Sequence, residues 1–158
     1  MNKKYIPKSL SSKDKKRQKD MIKKSKRMYK KKKYFTRKKV ISFTSKKSNH
    51  IRNAEKIYKV HKIGATPELV KKTGCSKKAL NEIIKKGQGA YYSSGSRPNQ
   101  TAHSWGIARL ASSITAGKAA AVDFHILEKG CKKGSKALKL AKKSKKKHGK
   151  GTRKVPKA

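Results

Sequence analysis

Carboxylates are scarce in this sequence: seven Asp or Glu stand against 48 Lys or Arg in 158 residues, a formal net charge of +41. A chain so lopsided repels itself, and with 33% apolar residues it cannot bury a core along its whole length. Such a charge calls for polyanions nearby: nucleic acid, an anionic membrane or acidic protein surfaces, with nucleic acid the plainest of the three. Cysteine is nearly absent as well. Cys75 and Cys131 make no disulfide framework and no paired metal spacing, which points to a reducing intracellular setting. Long apolar runs are missing, so no segment approaches the roughly 18 residues that a membrane span requires. Met1–Leu10 lacks the apolar stretch of a signal peptide, so the expected place is inside a cell or particle.

What is present is distributed unevenly. Residues 1–50 hold 21 basic and 2 acidic residues, 51–130 hold 14 and 5, and 131–158 hold 13 and none. Only the middle has the apolar content for a core, and that core is small. The division expected from this is a basic N-terminal arm over 1–47, a small helical domain over 48–130 and a lysine-rich tail over 131–158. The expected fold class is all-α: a small helical body containing a helix-turn-helix-like pair, flanked by extended or disordered basic arms.

Within the first arm, Ser11 or Ser12 caps a helix running to about Lys32, with Asp14 in its first turn. Met21, Ile22, Met28 and Tyr29 make a narrow stripe on it. The segment from Lys33 to Lys47 interleaves aromatic and β-branched residues with basic ones and favours extended chain. There Arg37, Lys38 and Lys39 are candidates for contact with a polyanion. The neighbouring aromatics either stack on bases, cover a partner's apolar surface, or pack on the central body.

From Ser48-Asn49 a helix follows, with Ile51, Ala54, Ile57 and Tyr58 on one face. Thr66 caps the next helix, with Pro67 at its first position, and Gly74 supplies a left-handed turn. Ser76 caps a further helix burying Leu80, Ile83 and Ile84, which Gly87 is expected to end. These two short helices resemble a helix-turn-helix, although Val70 is larger than that motif usually tolerates. On the second helix Lys77, Lys78, Asn81 and Lys85 are placed to meet phosphates or base edges. Sequence-specific readout, non-specific phosphate contact and plain packing all stay open.

The stretch from Gly87 to Leu127 is nearly neutral and holds the one tryptophan, Trp105. Tyr91 and Tyr92 read as extended, and Gly95 and Pro98 as loop punctuation. A helix spans about 102–116, with Gly106 permitting close approach of another backbone, and a last helix spans about 118–128. The segment contains Ser93, Ser94, Ser96, His103, Asp123 and His125, the residue types of a hydrolase triad, but no nucleophile-elbow pattern surrounds any serine. Arg97 either binds an anion or pairs with Asp123. The expectation is therefore no enzyme, no cofactor, no metal site and no small-molecule substrate. After Gly130 a disordered or contact-ordered tail is expected.

The strings YIPKSLSSKDKKRQ, YFTRKK, FTSKKSNH, KKTGCSKKAL and KKGQGAYYSSGSRPNQTAHSWGIARLASSITAGKAAAVD add a resemblance. Across residues 5–131 the chain resembles a lysine-rich family encoded by large double-stranded DNA viruses of algae and protists, with a shorter related module in tailed phages. That family carries no established activity to transfer. The resemblance implies a viral origin and a place in the virion, and in host cytoplasm or nucleus during infection. The expected partners are double-stranded DNA or another polyanion and viral capsid proteins. The expected role is a non-enzymatic structural protein. Its alternatives are a minor capsid or cement protein with arms between capsomers, and a helix-turn-helix DNA-binding regulator.

Overall fold

A computed structural model describes residues 1–149, so the expected disorder of the last nine residues lies outside the described part. The all-α class holds: the described residues form eight α-helices and one 3-10 turn, and the one β-type pairing among them is an isolated bridge. The helices are α1 Ser12–Lys30, α2 Asn49–Tyr58, α3 Pro67–Thr73, α4 Lys77–Ser93, α5 Ala102–Ser113, α6 Lys118–Val122, α7 Phe124–Gly130 and α8 Lys136–His148. The chain divides into two compact units, and not into a body with two arms. Met1–Lys46 and Gln88–Trp105 form one; Lys47–Gly87 and the described residues from Gly106 onward form the other.

In the first unit the N-terminal segment is folded. Tyr5, Ile6, Leu10, Met21, Ile22 and Val40 are buried together, with Phe35, Phe43 and Trp105 packed at their edge. Ser11 caps α1 as its residue type requires, accepting a bond from the Asp14 N–H at 3.2 Å. Asp14 in turn accepts from both the N–H and the hydroxyl of Ser42, fastening the extended segment to the start of α1. Asn99 holds the same segment from its other side. Its side-chain oxygen accepts from the Val40 N–H at 2.7 Å, and its amide donates to the carbonyls of Val40 at 3.2 Å and Phe43 at 2.9 Å. A run of residues without strand pairing thus has its backbone groups satisfied by side chains.

In the second unit Ala54, Tyr58, Leu69, Leu80, Ile83, Leu110, Ile114 and Leu127 build the core. Thr66 and Ser76 cap as expected, and Ser48 caps the helix expected from that point. Gly87 does not end α4. The helix runs through it to Ser93, and a Cβ on Gly87 would lie 2.6 Å from the Gly106 Cα. The two glycines let α4 and α5 cross with their backbones nearly touching, so Gly106 plays its expected part and Gly87 is its counterpart. The expected last helix is two helices broken at Asp123, which is fully buried. Arg109 on α5 meets that carboxylate in a two-pronged pair at 2.8 Å on each arm, and Ser113 donates to it at 3.2 Å.

Two further expectations are corrected here. The lysine-rich stretch after Gly130 contains α8, capped by Ser135 and packed on α6 and α7. Ala137, Leu138, Ala141 and Ser144 recur at helical spacing and are buried, so small residues seat a helix whose other faces are lysine. Nor are the cysteines unpaired. Cys75 and Cys131 form a disulfide across 56 residues of sequence. An antiparallel backbone bridge aligns them, with Ser76 N–H on the Gly130 carbonyl at 2.8 Å and Lys132 N–H on the Gly74 carbonyl at 2.9 Å. Counting cysteines and their spacing did not reveal this pair, and the inference to a reducing setting loses its basis.

Two outcomes follow from this packing. Asp123→Asn leaves the Arg109 guanidinium without its charge partner, and should cost about 3 kcal/mol in denaturant unfolding; a loss below about 1 kcal/mol would contradict the role given to the pair. The bonds from the Ser42 hydroxyl and N–H hold the Asp14 carboxyl below its ordinary pKa. Its contribution to stability is therefore present above the unfolded-state pKa and is lost as pH falls through the lower folded-state one. Ser42→Ala should move the Asp14 titration, followed by carboxyl NMR, back up toward the ordinary carboxylate value.

Candidate functional site

The residues expected to face a polyanion fall into three situations. Lys77, Lys78 and Lys85 are exposed on α4, and Asn81 between them is half-buried. Lys78, Asn81 and Lys85 share one helix face by their spacing. The first turn of α4 contains no acidic residue and two lysines, an arrangement the helix dipole disfavours and an incoming anion relieves. The preceding α3, the left-handed Gly74 at φ 75° and α4 reproduce the expected helix–turn–helix order, with Val70 half-buried.

Lys38, Lys39 and Arg97 are exposed in the first unit. Arg97 is not the partner of Asp123, which takes Arg109 instead. Fourteen residues separate Arg109 from Asp123, and their helices pack together. The signal that could have found the pair was an arginine on the face of α5 that carries Leu110 and Ser113.

Arg37 is a clear correction. It is only 6% exposed, so it presents no charge to a ligand at the surface. Its guanidinium donates to the Ser25 hydroxyl at 2.9 Å, the Tyr91 carbonyl at 2.8 Å and the Ser96 hydroxyl at 2.8 Å. It also lies 3.7 Å from the centre of the Tyr91 ring, while its own N–H donates to the Tyr91 hydroxyl at 2.9 Å. No carboxylate is among its hydrogen-bond partners. Burial draws its pKa below the usual arginine value, and the tyrosines around it oppose that shift. Three acceptors and a ring face suffice to hold the cation inside. Arg37 therefore joins the extended segment to α1 and the end of α4.

Beside this hub the aromatics expected between the basic residues form a small surface. Tyr34 is 69% exposed and rests against Tyr92 at 5.1 Å and Tyr29 at 6.1 Å between ring centres. Ile41 is 96% exposed. The residue types of a hydrolase triad are not assembled around Asp123, whose side-chain partners are Arg109 and Ser113. Among the described residues, no group of three or more His, Cys, Asp or Glu is placed to hold a metal ion. None of the described helices is long and apolar enough to cross a membrane.

One cationic feature escaped the reading of the sequence. Lys71, Lys72, Lys132, Lys133 and Lys136 surround an open cleft of about 320 Å³ in the second unit. The signal was present in the strings KKTGC and CKKGSK, two lysine pairs each beside a cysteine, but it required knowing that the cysteines join.

These features define a helical protein that buries two of its seven carboxylates, Asp14 and Asp123, in internal bonds and presents lysine outward. The chain belongs to the Family of unknown function (DUF5824), whose model matches residues 2–127. No curated protein and no solved structure matches it.

The buried hub carries its own test. Arg37→Met should destabilise the protein by about 2–4 kcal/mol, because it strands the buried Tyr91 carbonyl and takes a donor from the Ser25 and Ser96 hydroxyls. It should leave the polyanion affinity of the folded fraction within about two-fold, since the charge it removes is buried. A stable variant with sharply weakened binding would show that Arg37 serves a ligand.

Proposed function

We propose that this is a non-enzymatic structural protein that binds polyanions, double-stranded DNA foremost, through lysine displayed on folded units and with little preference for base sequence. The observation that carries this reading is the use made of the acids. Asp14 and Asp123 are buried in internal bonds, Glu55 pairs with Lys47 and Glu68 with Lys72. With all seven carboxylates counted, the chain still carries a net +41. Exposed lysines stand on α1, α3, α4 and α8, as contact with a backbone of phosphates requires. The resemblance to proteins of large DNA viruses supports a place in the virion, where packaged DNA and the inner capsid supply the acceptor.

A second reading, a minor capsid or cement protein, is favoured by one observation. Ile41 and Tyr34 expose large apolar side chains in a segment that DNA neutralisation alone does not require. In that case the Tyr34–Phe43 segment would meet a capsid protein, and DNA would play no part.

The test is titration of unrelated duplexes by fluorescence anisotropy across salt. The affinity should fall by about a thousand-fold or more between roughly 50 and 200 mM salt and differ little between sequences. Binding that survives salt unchanged, or that selects one duplex, would contradict the reading.

A further inference from the structure

We propose that the five-lysine cleft is a phosphodiester-binding site and that the Cys75–Cys131 disulfide assembles it, so that DNA binding responds to thiol reduction. This rests on the polyanion reading above and specifies where the tightest contact falls and what controls it. Lys71 and Lys72 end α3, while Lys132, Lys133 and Lys136 lie after α7 and at the start of α8. Sixty residues separate Lys72 from Lys132, and what brings the two groups to one cavity is the connection between them. Cys75 lies three residues after Lys72, and Cys131 immediately precedes Lys132. The bridge bond from Lys132 N–H to the Gly74 carbonyl closes the same junction at 2.9 Å.

The cleft is cationic beyond what the fold needs. Lys72 donates to the Lys59 carbonyl at 2.9 Å, and Lys136 donates to the Ile57 carbonyl at 3.2 Å, so two of the five help to hold their surroundings. Lys71, Lys132 and Lys133 are exposed, and their ammonium groups have no hydrogen bond or ion pair among the described residues. Glu68 is the one acid paired to this group, 3.6 Å from Lys72. Gathering ammonium groups around one cavity raises their mutual repulsion, which an entering chain of phosphates relieves. The backbone at both lips turns through glycine in the left-handed region, Gly74 at φ 75° and Gly134 at φ 77°.

Control follows from the covalent link. A dithiol reductant delivers two electrons and two protons to the S–S bond, giving two thiols on this chain, while the reductant closes its own disulfide. The bridge then keeps its two backbone bonds but loses the covalent link that fixes the two lysine groups against each other. Both sulfurs lie in buried residues, so the exchange requires opening at this junction.

The experiment compares Lys71→Gln/Lys132→Gln/Lys133→Gln with Lys16→Gln/Lys19→Gln/Lys23→Gln, which removes equal charge from exposed positions of α1. Duplex affinity is measured for each with and without dithiothreitol, with helical circular dichroism as the control for folding. The cleft variant should lose about ten-fold more affinity than the α1 variant and lower the salt slope by roughly two to three. Reduction should weaken the wild type towards the cleft variant and leave the cleft variant itself unchanged. Equal losses in the two variants overturn the site even if the protein binds DNA, whereas failure of the wild type to bind any duplex sinks the parent reading instead. A selective loss toward polyglutamate but not toward duplex would assign the cleft to an acidic protein and overturn the proposal. Unchanged binding on reduction, or reduction that abolishes the helical signal altogether, overturns the redox control, and the lysine comparison still decides the site.

Discussion

A guanidinium without a carboxylate governs the first unit. Arg37 is enclosed by carbonyl, hydroxyl and ring partners from α1, the end of α4 and the loop after it, and both hydroxyls donate onward, Ser25 to the Tyr92 carbonyl and Ser96 to the Arg97 carbonyl. Burying a charge this way costs several kcal/mol unless its donors are matched, so the surrounding chain has one arrangement in which the cation is tolerated. That arrangement draws in residues 34–43, which have no strand partner, and sets Tyr91 completely inside. Among the described residues no buried side-chain nitrogen or oxygen lacks a partner, which is the condition for such a hub to stabilise rather than strain.

The second unit solves the same shortage of negative charge differently. Its buried carboxylate, Asp123, is matched by one arginine and one serine, and the helix pair formed by α6 and α7 bends around it. Small residues do the rest: Gly87 against Gly106, and Ala137 and Ala141 on the inner side of α8. Close backbone packing gives burial without long apolar side chains, and the remaining helix faces are left to lysine. In both units, then, the few buried charges are matched from within and the lysines are left outside the core.

This division also explains what could be read beforehand. Helix starts were legible because Ser11, Ser48, Thr66 and Ser76 act locally, through bonds to residues two or three positions on. Gly106 was legible because a glycine beside a tryptophan in a helical pattern has few other uses. Gly87 was misread because a glycine that ends a helix and one that admits a neighbouring helix look alike without the neighbour. The aromatic and β-branched residues from Lys33 onward favour the non-helical chain that is observed, but nothing local marks Arg37 as buried. Helix α8 was hidden by its composition, since four small or apolar residues among lysines decide its inner face. The cysteine pair and the cleft beside it depend on contacts across dozens of residues, which no local pattern records.

The account stands or falls on whether the first 46 residues are folded in the isolated protein. Native-state hydrogen exchange of the Arg37 and Val40 amides, which donate to the Tyr91 hydroxyl and the Asn99 side chain, addresses this directly. Protection comparable to that of buried amides in α4 is the expected result. Exchange at the rate of an unfolded chain at both positions, while α4 stays protected, would contradict it and return the N-terminal segment to an arm without structure of its own.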